Sequence, residues 1–286
     1  MKRPSIAIVG PGRLGTALAL FLKRSGYDIR EIVARQGSAS FASARTLARK
    51  VSAHASRAGA AARLDADLVW FCVPDSKIAE AAREFADRDW NGKIALHSSG
   101  VLPSDALQLL RKQGASIASA HPLMTFVKGS VPDLSGVMFA AEGEAAALRV
   151  ASRIVREMDG EIVVLLKRNK AAYHAFATMI CPMLVALLAS AEEIAGLAGI
   201  SQKQARRRML PIVRQTLQNY AEVGPAKSFT GPIVRGDAET IRLHVAALTK
   251  IPAAKNAYIA LAKASLEFLP SQNRRQIKTL LKKSTS

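Results

Sequence analysis

Ile6-Ala7-Ile8-Val9-Gly10-Pro11-Gly12-Arg13-Leu14-Gly15 decides how this chain is read. An apolar, β-type run leads into a glycine-rich turn, and a helical run from Thr16 to Leu22 follows it. A Gly-x-Gly-x-x-Gly spacing recurs by chance, but between a strand and a helix it marks a dinucleotide-binding turn. Gly10 permits the sharp turn, Gly12 lets the backbone approach a pyrophosphate, and Gly15 lets helix and strand pack closely. Arg13 and Leu14 open the helix whose free N–H groups and positive dipole end would face the phosphates.

Working outward, apolar runs alternate with helical patterns through the first half. Strands are expected at Ile29 to Ala34, Ala66 to Val73, Lys93 to His97, Ser116 to Ala120, Val137 to Ala141 and Ile162 to Leu165. Near-continuous apolar strands separated by helices predict a parallel sheet covered on both faces. From Lys167 the strand signal stops and long alanine- and leucine-rich helical stretches follow. The expected fold is therefore α/β: a Rossmann-type doubly wound parallel sheet over residues 1–165, followed by an all-α domain over 166–286.

The end of the second strand chooses the cofactor. Acidic residues there suit the ribose hydroxyls of NAD, whereas arginine suits a 2′-phosphate. The chain reads Ala34-Arg35-Gln36-Gly37-Ser38-Ala39-Ser40, with no acidic residue. Arg35 and Ser38 are thus expected to hold the 2′-phosphate of NADP(H). Val73 and Pro74 would shape the opposite side of the cofactor groove.

Ligands of open α/β sheets bind beyond the carboxyl ends of the strands. Ser98 and Ser99, after one strand, could bind substrate or merely cap the helix ahead of Pro103. His121, after the next, could act as acid or base, or be a turn histidine fixed by Pro122. Lys170 and His174 share a helix face at i,i+4. Lys170 is the candidate proton donor, with His174 orienting substrate or sharing the proton. Arg235, in an irregular segment between helices, could bind an anionic group of the substrate. No metal cluster, Walker loop or nucleophile elbow is present in the sequence.

The net charge is +19, divided as +6 over residues 1–166 and +13 over 167–286. No aromatic residues interleave the basic clusters, so a solvated surface is the expected reading and nucleic acid is not an expected partner. Cys72 and Cys181 lie in apolar stretches and point to buried thiols in a reducing compartment. No signal peptide fits the start, and a cytoplasmic protein is expected. Ala171 to Ala191 lacks Asp, Glu, Lys and Arg and is long enough for a membrane span. Its alanine content, with Tyr173, His174 and Pro182, predicts instead a buried helix of the all-α domain.

Together the glycine turn, His97-Ser98-Ser99-Gly100-Val101-Leu102-Pro103, His121-Pro122-Leu123, Lys170-x-x-Tyr173-His174 and Thr230-Gly231-Pro232-x-x-Arg235-Gly236-Asp237 resemble a bacterial family. That family joins a Rossmann-like domain to a C-terminal helical domain of unknown function (DUF2520 type). It is often called an NADP oxidoreductase, sometimes a deazaflavin (coenzyme F420)-dependent one. In outline it is similar to the phosphogluconate and hydroxyisobutyrate dehydrogenases, ketopantoate reductase and pyrroline carboxylate reductase. The resemblance implies a homodimer paired through the helical domains. His174 stands where the hydroxyacid branch has asparagine, and Cys181-Pro182 stands where the nearer family has Ser-Asn. The combined reading is an NADP(H)-dependent reductase of a small carbonyl or imine compound. The alternatives are a non-catalytic NADP(H) sensor and a deazaflavin-dependent enzyme.

Overall fold

The structure is a computed structural model that describes residues 3–35 and 37–284. Two compact units result: one ends at Thr178 and the other begins at Met179. The division lies beyond the expected boundary at residue 165. The reason is local: the first helix after that boundary is hydrogen-bonded by its opening turn into the sheet, as described below.

The first unit is built on eight strands: β1 (Ile6–Val9), β2 (Ile29–Ala34), β3 (His54–Arg57), β4 (Leu68–Phe71), β5 (Ile94–His97), β6 (Ser116–Pro122), β7 (Met138–Gly143) and β8 (Glu161–Val164). They lie in the order β3-β2-β1-β4-β5-β6-β7-β8. The order reverses at β1, and that reversal opens the crevice in which doubly wound sheets bind ligands. Strands β1 to β6 are parallel. Strand β7 departs from the all-parallel expectation and runs antiparallel to β6. The connection from 123 to 137 contains no helix, and a parallel return needs a crossover of a dozen or more residues, usually helical. Strand β3 carried no apolar run in its sequence (His54-Ala55-Ser56-Arg57); it forms as an edge strand by pairing with β2.

Helices α1 (Arg13–Arg24), α2 (Ser38–Val51), α3 (Asp75–Arg83), α4 (Gln108–Lys112) and α5 (Ala145–Glu157) cover the sheet. Two apolar layers result. One packs Ile6, Ile8, Leu18, Leu22, Trp70 and Ile154 together, and the other Val9, Val69, Phe71, Ile78, Phe85 and Trp90.

Helix α6 (Lys170–Ile180) runs through the division at residue 178, and α7 (Pro182–Leu197) follows it. Cys181 separates them with φ −121° and ψ −82°, and Pro182 opens α7. The second unit continues with α8 (Gln202–Ser228), α9 (Pro232–Arg235), α10 (Ala238–Ala247), α11 (Pro252–Phe268) and α12 (Arg274–Lys283). Gly224 leaves helical geometry inside α8. The core of this unit is small: Ile241, Val245, Ile259, Leu266, Ile277 and Leu281.

One expectation is corrected here. The apolar stretch Ala171 to Ala191 is not buried within the chain: Phe176, Met179, Met183 and Val185 are all about half exposed or more. Up to Ala189, helix α7 is apolar around its whole circumference, so packing against α8 and α11 covers one side and leaves the rest bare. By length and composition alone, the helical stretch Lys167–Leu197 could also cross a membrane.

Candidate active site

The glycine turn is shaped by the strands beside it. Gly10 has φ +105°, and a Cβ there would stand 2.7 Å from the carbonyl oxygen of Cys72 at the end of β4. Gly15 needs its bare Cα because α1 crosses directly over the turn. Gly12 differs from both. It has φ −74°, open to any residue, and a Cβ there would meet only the Cys72 oxygen, at 4.0 Å. The fold does not require glycine at position 12. Gly12 stands at the N-cap of α1 without a side chain to cap it, and the first turn of α1 carries no acidic residue. The end of a twelve-residue helix is thus left open to an anion.

A cleft of about 370 Å³ runs past this turn. Gly10, Pro11 and Gly12 form its floor, Val73 and Pro74 one side, and Arg35, Ser40 and Ser43 the other. The structure therefore brings Gly10, Gly12, Arg35, Val73 and Pro74 together as expected. Gln36 lies outside the described residues, and so does the side chain of Ser38. Ser40 and Ser43, one turn apart on α2, were not singled out as cofactor residues; their i,i+3 spacing was the available signal. Arg13 faces a separate cleft of about 660 Å³, and its Nη1 donates to the Phe126 carbonyl (3.1 Å). Leu14 packs against the core, and Gly15 is buried.

A second cluster gathers at the ends of β5 and β6. His97 is fully buried, and the Ser99 N–H donates to its Nδ1 (3.1 Å). The proton therefore sits on Nε2, which donates to the Pro103 carbonyl (3.1 Å). Burial holds this ring's pKa down at about 4, against the pull of the Pro103 bond. His97 is a latch for its own loop. Ser98 Oγ accepts from the Trp70 indole (2.8 Å), and Ser99 Oγ accepts from the N–H groups of Val101 and Leu102 (3.2 and 2.9 Å). Both hydroxyls are buried: that of Ser98 accepts from Trp70 and that of Ser99 from its own loop, and neither caps the short helix that follows Pro103.

Lys170 is buried, with 2% exposure. Its Nζ donates to the Ser99 carbonyl (2.9 Å) and to Ser119 Oγ (2.5 Å), and Ser119 Oγ in turn donates to the Ser99 carbonyl (3.1 Å). Burial lowers the Lys170 pKa to about 8, opposed by the carboxylates of Glu142 and Asp75. Glu142, across the β6–β7 ladder from Ser119, accepts from the N–H and hydroxyl of Ser104.

His121 lies on the same side of β6 as Ser119, two residues on. Its Nδ1 is 2.9 Å from the Tyr173 hydroxyl. Burial, then the charges of His174 and Lys170, hold its pKa at about 4. Burial lifts the Tyr173 hydroxyl to about 12. The His174 ring stands edge-on to His121 with centroids 6.0 Å apart. Gly100 makes room for both imidazoles: a Cβ there would be 2.5 Å from His174 Cδ2 and 3.1 Å from His121 Nε2. The structure thus unites His121, His174 and Lys170, and adds Ser119, Tyr173 and Gly100. Arg235 stands in the second unit, exposed at the end of α9. Among the described residues no group of three or more His, Cys, Asp or Glu could hold a metal ion.

Comparison with known proteins agrees with this architecture. Residues 1–122 match the model of the Rossmann-like domain, and residues 137–265 match that of DUF2520, a domain of unknown function. No curated protein matches the chain. Among solved structures, BF3122 of Bacteroides fragilis, provisionally called an NADP oxidoreductase, superposes with TM-score 0.75 at 24% identity, covering 92% of this chain and 97% of that one. Protein TM1727 from Thermotoga maritima gives 0.71 at 23% identity, covering 98% and 100%. The reductive aminase from Aspergillus terreus, in complex with NADPH and ethyl-5-oxohexanoate, gives 0.65 at 16% identity, covering 97% and 99%. At these identities the likeness is one of fold. The chain thus joins a Rossmann-like domain to a DUF2520 domain.

Proposed function

We propose that the protein is an NADP(H)-dependent oxidoreductase acting as a reductase of a small carbonyl or imine compound. The observation that carries this reading is Gly12. The fold has no need of glycine there, and its bare Cα leaves the uncapped N-terminus of α1 open at the floor of a cleft edged by Arg35. A pyrophosphate would lie on Gly10, Gly12 and the first N–H groups of α1, and a 2′-phosphate between Arg35, Ser40 and Ser43. When bound, the dihydronicotinamide supplies a hydride, that is, two electrons. The fold neighbours named as an NADP oxidoreductase and as a reductive aminase bound to NADPH favour the same class of cofactor.

The chain's own contribution is proton handling and substrate orientation. His121, Tyr173, His174 and Lys170 supply it, from β6 and from one face of α6. Lys170 already donates two of its three N–H bonds inside the protein, so it offers substrate one at most. We further propose a cytoplasmic homodimer in which a second copy covers the bare apolar surface of α6 and α7. A helix whose first turn is hydrogen-bonded into a sheet, through Lys170, suits a protein partner better than lipid.

Isothermal titration calorimetry with NADPH and NADH tests the reading. Micromolar binding of NADPH and much weaker binding of NADH is expected. Absence of heat with both nucleotides at millimolar concentration would overturn it.

A further inference from the structure

We infer that Tyr173 and His121 form the proton relay of this site, with Tyr173 as the residue that touches substrate and Lys170 as the strut that positions them. The inference rests on the reductase reading and deepens it by naming the group that moves the proton.

Three observations carry it. First, the Lys170 ammonium is turned inward. Its two bonds end on a backbone carbonyl and on a serine hydroxyl that itself donates to the same carbonyl, so no chain of donors leads from it to the surface. What these bonds do is tie the opening turn of α6 to the ends of β5 and β6. That tie sets Tyr173, one turn further along α6, against His121 on β6. Second, the Tyr173 hydroxyl is the half-buried end of a two-member chain whose other end is His121 Nε2. Third, the bare Cα of Gly100 lets His121 Nε2 and the His174 ring pack against it, at the end of a strand where His121 stays partly exposed. A chain with a hydroxyl at one end and the ring nitrogen of a partly exposed histidine at the other can pass a proton through the ring.

The balance is as follows. As a C=O or C=N carbon accepts hydride from the dihydronicotinamide, the π pair collapses onto the heteroatom. The Tyr173 O–H bond breaks and its proton joins that heteroatom. The proton on His121 Nδ1 moves to the tyrosine oxygen, and Nε2 takes one proton from solvent. The ring stays neutral overall, having gained a proton on one nitrogen and lost one from the other. Oxidation of the product reverses each transfer. His121 never has to be held as a cation, in keeping with a ring that burial keeps neutral at pH 7.

Two readouts test the relay on the full-length protein. In ¹⁵N-histidine NMR at pH 7, His121 should appear as a neutral ring whose Nδ1 signal shifts in Tyr173→Phe while the ring stays neutral. In NADPH oxidation with cyclohexanone and 1-pyrroline as probes, Tyr173→Phe should lower kcat about 100-fold, with the NADPH Kd unchanged. Lys170→Met should move the His121 signals as well, since it releases the tie. An Nδ1 signal indifferent to Tyr173→Phe overturns the inference. So does a Tyr173→Phe variant with undiminished kcat, or loss of turnover in Lys170→Met with His121 signals unmoved. Should wild type bind no NADPH, the reductase reading has failed instead, and the NMR result alone decides for or against the Tyr173–His121 couple. The NMR result likewise decides if NADPH binds but neither probe is reduced.

Discussion

A Cβ placed on Gly15 would stand 2.0 Å from the carbonyl oxygen of Gly10. Helix α1 therefore crosses the end of β1 at a distance that no side chain allows, and the two glycines are demanded by the protein's own packing. Gly12, between them, is demanded by nothing inside the chain. The same motif thus contains two glycines that the packing requires and one that it does not.

Substitution should separate these roles. Gly15→Ala must displace the turn or the helix and should cost about 4 kcal/mol or prevent folding. Gly12→Ala should leave stability within about 0.5 kcal/mol, since alanine at an N-cap differs from glycine by only a few tenths. It should nevertheless weaken NADPH at least about 10-fold, because the methyl intrudes where the pyrophosphate lies. Thermal melts and calorimetry on the two variants read both effects. Equal affinity in Gly12→Ala would remove the main support for the cofactor assignment.

In the proposed complex, Arg35 would set the choice between the two nicotinamide cofactors. Arg35→Asp removes the 2′-phosphate partner and places a carboxylate where ribose hydroxyls can bond to it. The NADPH-to-NADH affinity ratio should fall by about 100-fold or more, on the scale of a charge-assisted pair. An unchanged ratio would move the phosphate elsewhere.

The buried lysine predicts a pH-dependent stability. The unfolded side chain holds its proton up to about 10.5, and the folded one only to about 8. Between those values the unfolded state binds more protons, so this group adds stability as pH rises from 8 to 10.5 and weakens it below 8. The advantage of Lys170→Met over wild type should therefore shrink by about 3 kcal/mol between pH 7 and pH 10.5. Denaturant melts of both proteins across that range give the difference directly. A flat difference would mean that Lys170 is not desolvated.

His97 gives the acid-side counterpart. Its unfolded ring takes a proton near pH 6.5 and its folded ring only near 4. Its contribution is intact above pH 6.5 and is lost as the pH falls through that window, by about 3 kcal/mol. His97→Asn should be less stable at pH 7 but less sensitive to acid between pH 6.5 and 4. A parallel acid profile in the two proteins would contradict the buried neutral tautomer.

The bare helix predicts an assembly. Val185→Glu places a charge on a side chain that is 64% exposed in the single chain. If a second copy covers α7, light scattering should show a dimer for wild type and a monomer for Val185→Glu. A wild type that stays monomeric at micromolar concentration would leave the apolar surface to some other partner.

The sequence by itself determined most of the strands and the glycine turn, because periodicity, β-branching and glycine spacing are local properties, whereas the edge strand β3 and the antiparallel β7 were set by pairing. It also placed Lys170 and His174 on one helix face, since the helix period brings i and i+4 together; that Ser119 and Tyr173 join them was decided by the fold. Tertiary structure alone decided which of these groups face inward. Ser98, Ser99 and Lys170 carry the chemistry of a binding site, yet their hydrogen bonds run to Trp70, to the loop backbone and to Ser119. Position in the chain says which polar atoms can meet. Only the packing of α6 onto the ends of β5 and β6 says which of them are used up by the fold and which, like the Tyr173 hydroxyl, are left at its edge.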